Sequence, residues 1–173
     1  RFIKINDLTQ LTMIEHCLAT SFAYQNKFHE AERFYKKALA RSIQAEMVVT
    51  QAEIEASMGN LSLFRGKLDK ALKFLELSRQ KYEKLNMPHH SAVAELEMAD
   101  VYLELNLISE AFEIYERIVE TLANLKMQGE EARARTNFAR AAIHLGRNDL
   151  AFDQLKKSAT LYRAEKNLGG KAF

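Results

Sequence analysis

Proline occurs once in the 173 residues, at Pro88, and glycine only six times. Both residues are costly inside a helix, so their scarcity leaves room for little but long helices joined by short turns. A single cysteine, Cys17, excludes an intramolecular disulfide and favours a reducing compartment, so a cytoplasmic setting is expected. No apolar run reaches the roughly 18 residues of a membrane span, and no charged-then-apolar signal segment opens the sequence; no membrane partner is expected. The formal net charge is +2, with Lys/Arg and Asp/Glu interspersed, which gives no field of the kind that holds nucleic acid. A glycine-rich phosphate loop is missing, as is an aromatic and basic stripe for single-stranded nucleic acid.

What the sequence has is repetition. Ala31, Ala71, Ala111 and Ala151 recur at an interval of 40, together with Leu18-Ala19, Met58-Gly59, Met98-Ala99 and Phe138-Ala139. Asn26, Gly66, Asn106 and Gly146 share the interval, and so do Met47, Met87 and Met127. A period between about 20 and 50 residues marks a solenoid, in which no single unit buries its apolar face alone. The pattern predicts a single all-α domain over residues 1–173, with repeats over roughly 8–45, 46–85, 86–125 and 126–166 and the start of another at 167. Because the first residue is Arg1 and Asn167 to Phe173 resembles a repeat opening, an excised part of a longer protein is expected.

In chain order, Arg1 to Asp7 carries no clear periodicity. From Leu8 to Gln25 the spacing of Leu11, Ile14, Leu18 and Phe22 predicts a helix with that stripe inward. Asn26 stops it, since Asn and Gly accept the left-handed conformation that helix C-termini need. A second helix is predicted over Phe28 to Ile43, with Ala31, Phe34, Tyr35, Ala38 and Leu39 buried. Further helices are predicted over 48–65, 68–85, 88–105, 108–124, 130–145 and 149–165. Asp69, Ser109 and Asp149 share a repeat position where an oxygen could cap a helix start. In the last unit Ala139, Ile143, Ala151, Leu155, Leu161 and Tyr162 are core candidates.

These hairpins resemble tetratricopeptide repeats. The resemblance rests on a small residue in the first helix followed three later by an aromatic, Asn or Gly at the turn, and alanine followed four later by an aromatic. It is best in Ala19 and Phe22 with Glu30-Ala31 and Tyr35, and in Ala99 and Tyr102 with Glu110-Ala111 and Tyr115. It covers nearly the whole chain. Two features depart from the common pattern: the period exceeds 34, and tryptophan is missing, its slot holding Glu15, Glu55, Glu95 or Arg135. HEAT and armadillo arrays also repeat near 40 residues, but the Glu-Ala pairs and small-residue placement favour the tetratricopeptide type. Similar longer repeats occur in cell-polarity adaptors, kinesin light chains and bacterial regulators. Gly129 to Arg135, His144 to Arg147 and Tyr162 to Gly169 are most similar to arrays that precede caspase-like CHAT peptidase domains. The resemblance implies a right-handed α-solenoid of about four helix-turn-helix repeats.

It also implies that function sits on a concave groove lined by the first helix of each pair. The groove positions include Glu53, Ala56, Ser57, Asn60, Leu63 and Phe64 in the second unit, and Val93, Leu96, Glu97, Asp100, Leu103 and Glu104 in the third. In the fourth they are Arg133, Thr136, Asn137, Arg140, Ile143 and His144; in the first, Met13, His16, Cys17, Thr20, Ala23 and Tyr24. Glu53, Asn60, Glu97, Asp100, Glu104, Arg133, Asn137, Arg140 and His144, with the aromatic Phe64, are the candidate binding residues for a protein or peptide. The competing reading is that Asp100 and Arg140, or Glu97 and Asn137, merely pair between neighbouring helices. Chaperone tails are held in related arrays by a lysine, asparagine and arginine clamp, but His16, Ala56, Leu96 and Thr136 offer no lysine.

No catalytic or metal site and no cofactor are expected. His16 and Cys17 diverge by about 100° around a helix, and His89-His90 lacks a nearby third ligand. The function expected is that of a protein-interaction scaffold. A regulatory or sensor segment of a larger signalling or CHAT-type protein, and self-association through exposed repeat ends, are the alternatives.

Overall fold

The computed structural model describes residues 2–169, with side chains described over 7–164. Eight helices follow one another without a strand among the described residues: α1 (Phe2–Tyr24), α2 (Phe28–Gln44), α3 (Val48–Phe64), α4 (Leu68–Lys84), α5 (Pro88–Glu104), α6 (Ile108–Asn124), α7 (Gln128–His144) and α8 (Asn148–Gly169). No described helix is long and apolar enough to cross a membrane. From α2 onward the helices start at 28, 48, 68, 88, 108, 128 and 148, a step half the length of the sequence repeat.

That step comes from one turn used seven times. Asn26, Glu46, Gly66, Asn86, Asn106, Lys126 and Gly146 all have positive φ, between 54° and 72°. In each turn that residue's N–H donates to the carbonyl three back, and the next N–H donates to the carbonyl five back, as in Asn26 to Ala23 and Lys27 to Phe22. This pairing closes the helix end and reverses the chain. Gly66 and Gly146 adopt the conformation without steric cost; Glu46 and Lys126 adopt it against their intrinsic preference, and their turns were not legible as such. The expected capping role of Asp69, Ser109 and Asp149 is not what the structure shows. Helices α4, α6 and α8 begin one residue before each of them, and Lys67 and Leu107 occupy the cap positions of α4 and α6 without a side-chain bond.

Contacts divide the chain into two compact units, with the boundary after Ala94 inside α5. In the first unit α1 packs on α2, α2 on α3 and α3 on α4. One core joins Ala19, Ala31, Tyr35 and Ala38 to Ile54, Met58 and Leu61. In the second unit α6 packs on α7 and α7 on α8, burying Tyr115, Ile118, Leu122 and Phe138. Ala31, Ala71, Ala111 and Ala151 are each at most 2% exposed, as expected of small residues at close helix approaches. Gly59 takes the place of Ala19, Ala99 and Ala139, and a Cβ there would lie 2.8 Å from Cγ of Leu75.

The tryptophan slot is filled by polar pairs within each hairpin. Glu15 accepts from Arg41 at 2.8 Å and Glu55 from Lys81 at 2.5 Å. Glu95 accepts from Arg117, and Arg135 donates to Gln154 at 2.8 Å. Glu15 and Glu55 are 8% and 6% exposed, so each needs its cation: an uncompensated buried charge costs several kcal/mol.

Three expectations are corrected at the end helices. Leu11, Ile14 and Leu18 are 43%, 54% and 40% exposed, and the inward residues of α1 are Thr12, Glu15 and Ala19. The counterparts of Ile14 and Leu18, Ile54 and Met58, are buried because α3 packs on both α2 before it and α4 after it, whereas α1 has no preceding helix among the described residues. Leu155 and Tyr162, each 43% exposed, stand likewise in place of the buried Tyr115 and Leu122; Ile143 is 54% exposed. α1 begins at Phe2 rather than Leu8, and α8 runs through Asn167 to Gly169, where a new repeat was expected to open. Residues 170–173 of that expected opening lie outside the described residues.

Replacing Ala111 with Leu should overpack the α6 contact and destabilise the chain by about 1–3 kcal/mol. Chemical denaturation monitored by circular dichroism measures this. A midpoint equal to the parent's would remove the packing role assigned to the repeated alanines.

Candidate partner-binding face

The same three repeat positions build a polar knot in each unit. In the first, the Tyr35 hydroxyl lies 3.1 Å from Thr20 Oγ1, and Ser57 Oγ lies 3.1 Å from Nε2 of His16, whose ring tilts against Tyr35 at 5.8 Å. In the second, the Tyr115 hydroxyl donates to Asp100 Oδ1 at 2.5 Å, and Asn137 Nδ2 donates to the same oxygen at 2.8 Å. Thr20 and Asp100, Tyr35 and Tyr115, and Ser57 and Asn137 are all 80 residues apart. Each knot thus takes two residues from successive first helices and a tyrosine from the second helix between them. Burial lowers the His16 pKa against the opposing pull of Glu53. Burial, and then the Asp100 carboxylate, push the Tyr115 phenol well above its ordinary range.

Around the second knot the predicted cations are held loosely. Arg133 Nη2 stands 3.9 Å from Asp100 Oδ2, and Arg140 Nη2 stands 4.0 Å from Glu104 Oε1. Arg140 also donates to Asn137 Oδ1 at 3.3 Å. The side chains of Arg133 and Arg140 are 44% and 54% exposed, against 14% for Arg135, which is gripped by Glu131 and Gln154 at 2.8 Å. Solvated pairs at such distances contribute under about 1 kcal/mol.

The predicted residues therefore divide. Asp100 and Asn137 are tied into the fold by Tyr115, while Arg133, Arg140, Glu104 and the exposed His144 remain at the surface of the second unit. Glu97 is half-buried on α5. On the first unit Glu53 and Asn60 are half-buried along α3, and Phe64 is 75% exposed at its end. Pairing between neighbouring helices does occur: Arg140 meets Glu104, and Asp100 meets Asn137 and Arg133. Leu96 and Leu103, counted on the groove face, are core residues at 0% and 7% exposure. Tyr115 was not among the predicted site residues. Its signal was the 15-residue spacing to Asp100, repeated between Thr20 and Tyr35.

Tyr115→Phe should cost about 1.5–3 kcal/mol, the range for a hydrogen bond to a charged acceptor. The sign of the pH dependence follows from the raised pKa. The neutral phenol is favoured in the folded chain, so its contribution is complete below the unfolded value near about 10 and declines as pH rises beyond it. Denaturation across alkaline pH should show a shallower decline for the variant; identical profiles would mean that the Tyr115 bond carries no stability.

Residues 16–45, from late α1 through α2, match the family model of the tetratricopeptide repeat. No curated protein sequence matches the chain significantly. Among solved structures, aspartyl phosphate phosphatase F of Bacillus subtilis superposes with a TM-score of 0.84 at 10% identity, over 93% of this chain and 41% of its own. A signal transduction ATPase of Pyrococcus horikoshii with a tetratricopeptide repeat sensor gives 0.80 at 16% identity, over 91% of this chain and 24% of its own. The Rap conjugation gene regulator of plasmid pLS20, in complex with the Phr* peptide, gives 0.76 at 13% identity, over 89% and 43%. The chain thus spans less than half the length of each of these three proteins. It has the fold of a tetratricopeptide-like α-solenoid and carries a recognisable tetratricopeptide repeat in its first hairpin.

Proposed function

We propose that the chain is a protein-interaction module, binding rather than catalytic, whose first-helix faces hold an extended peptide or partner segment. The observation that carries this reading is the division within the second unit. Asp100 is fixed by Tyr115 and Asn137, while Arg133 and Arg140 stand exposed on carboxylate contacts near 4 Å, with one 3.3 Å bond from Arg140 to Asn137, that a partner carboxylate can displace at little cost. A carboxylate taking both guanidiniums forms charge-assisted bonds stronger than those it replaces. Glu97, Glu104 and His144 complete the face on this unit, and Glu53, Asn60 and Phe64 are the proposed contacts on the first. The Rap regulator, similar in fold, was solved with a peptide, which supports this class of ligand. The exposed thiol of Cys17 suits the reducing setting of the cytoplasm.

A second reading is that this binding serves a sensor or regulatory segment of a longer protein, as the tetratricopeptide sensor in the Pyrococcus ATPase suggests.

The test uses a partner recovered by pull-down and an affinity titration at several salt concentrations. Arg133→Ala with Arg140→Ala should weaken binding by about tenfold or more and flatten its salt dependence, with helicity unchanged. Unchanged affinity would leave both arginines with no role beyond pairing to Asp100, Asn137 and Glu104.

A further inference from the structure

A cavity of about 230 Å³ opens in the first unit where the end of α3 and the start of α4 meet α2. Its floor is apolar: Met58 and Leu61 are 5% and 3% exposed, and Phe74 is half-buried beside them. Its rim is basic. Lys67 at the cap of α4 and Lys70 and Lys73 within it fall at spacings of three, and Lys36 and Arg65 complete the basic rim. The one carboxylate present, Glu32, is already engaged. It takes Lys36 at 2.9 Å and also pairs with Arg65. Hydrogen bonding from Lys36 first, and from Arg65, outweighs burial and holds its carboxyl down at about 2. Among the described residues, Lys67, Lys70 and Lys73 form no ion pair, so their charge is left for something else.

This chemistry is not a by-product of the repeat. The equivalent notch of the second unit is lined by Phe112 where the first has Glu32, and by Glu116 where the first has Lys36. There Phe112 packs edge-on against Phe138 at 4.9 Å, and Arg147 covers the Phe112 ring. With Met58 in place of Phe138 and Glu32 in place of Phe112, the first unit loses both rings and keeps an open floor beneath its lysines.

We propose that this cavity binds a small organic anion, whose apolar body rests on Met58, Leu61 and Phe74 and whose carboxylate or phosphate is held by Lys67, Lys70 and Lys73. The volume lies below that of drug-sized pockets, so the apolar body is about as large as a phenyl ring or a short acyl chain. The site is separate from the first-helix faces and does not rest on the peptide-binding reading.

The experiment is an amide NMR titration of the full chain with phenyl phosphate and with octanoate. Benzyl alcohol and inorganic phosphate serve as body-only and charge-only controls. Saturable shifts are expected at 58–74 and around Glu32 with at least one of the two amphipathic anions, and each control should bind about tenfold more weakly or worse. Lys70→Glu with Lys73→Glu should weaken binding by about tenfold or more at an unchanged melting temperature, since both side chains are exposed. Arg133→Ala with Arg140→Ala should leave it intact. No saturable shift from either anion, shifts that persist in the lysine variant, or inorganic phosphate binding as tightly as phenyl phosphate would each overturn the proposal. Silence of both anions together with shifts from an acidic peptide carrying phenylalanine would overturn it in favour of a protein ligand.

Discussion

The structure depends on a single backbone event, a residue forced into the left-handed conformation at the end of each helix from α1 to α7. Seven such residues, from Asn26 to Gly146, stop each helix at the same phase and send the chain back within three residues. Because the phase never drifts, a position 40 or 80 residues on does the same geometric job. An insertion of one residue in any helix would rotate every later side chain by about 100° and part these partners. The turns themselves tolerate chemistry that the conformation disfavours, as Glu46 and Lys126 show, because the two backbone bonds of each reversal and the packing of the helices it joins offset the local cost.

Fixed register lets one set of positions serve as structure in one hairpin and as surface chemistry in another. Tyr35 and Tyr115 both tie a second helix to flanking first helices, yet the first closes on Thr20 and the second on a carboxylate, Asp100. The slot that holds tryptophan in commoner repeats carries the buried pairs of Glu15 with Arg41 and Glu55 with Lys81. The notch between successive hairpins is basic and open in the first unit, and acidic with a packed aromatic pair in the second. Local chemistry in this chain therefore varies by substitutions on a repeated frame, as expected where each repeat contacts only its neighbours.

Much of that frame was legible in the sequence. The 40-residue interval located every hairpin, and the Asn or Gly at 26, 66, 106 and 146 marked the turn within each; the left-handed Asn86, between hairpins, was passed over. Ala31, Ala71, Ala111 and Ala151 announced the close contacts. What stayed hidden was decided by neighbours rather than by local pattern. Leu11, Ile14 and Leu18 have the spacing of a core stripe, but a stripe is buried only where another helix covers it. Leu96 and Leu103 looked like groove residues because the face was drawn from spacing alone, which does not separate a binding face from the buried stripe beside it. Arg133 and Arg140 stand exposed on α7, as the spacing predicts for that face. The tethering of Asp100 by Tyr115 needed the pairing of two helices to be seen.

The central functional claim is that Arg133 and Arg140 are held loosely enough to be taken by a partner, while the side chains around them are fixed. Arginine side-chain NMR of the free chain tests this directly, with Arg135 as the internal reference for a guanidinium locked by Glu131 and Gln154. The account predicts fast rotation about the Nε–Cζ bond for Arg133 and Arg140 and slow rotation for Arg135. Rotation as slow at Arg133 and Arg140 as at Arg135 would contradict it, for both cations would then belong to the fold rather than to a partner.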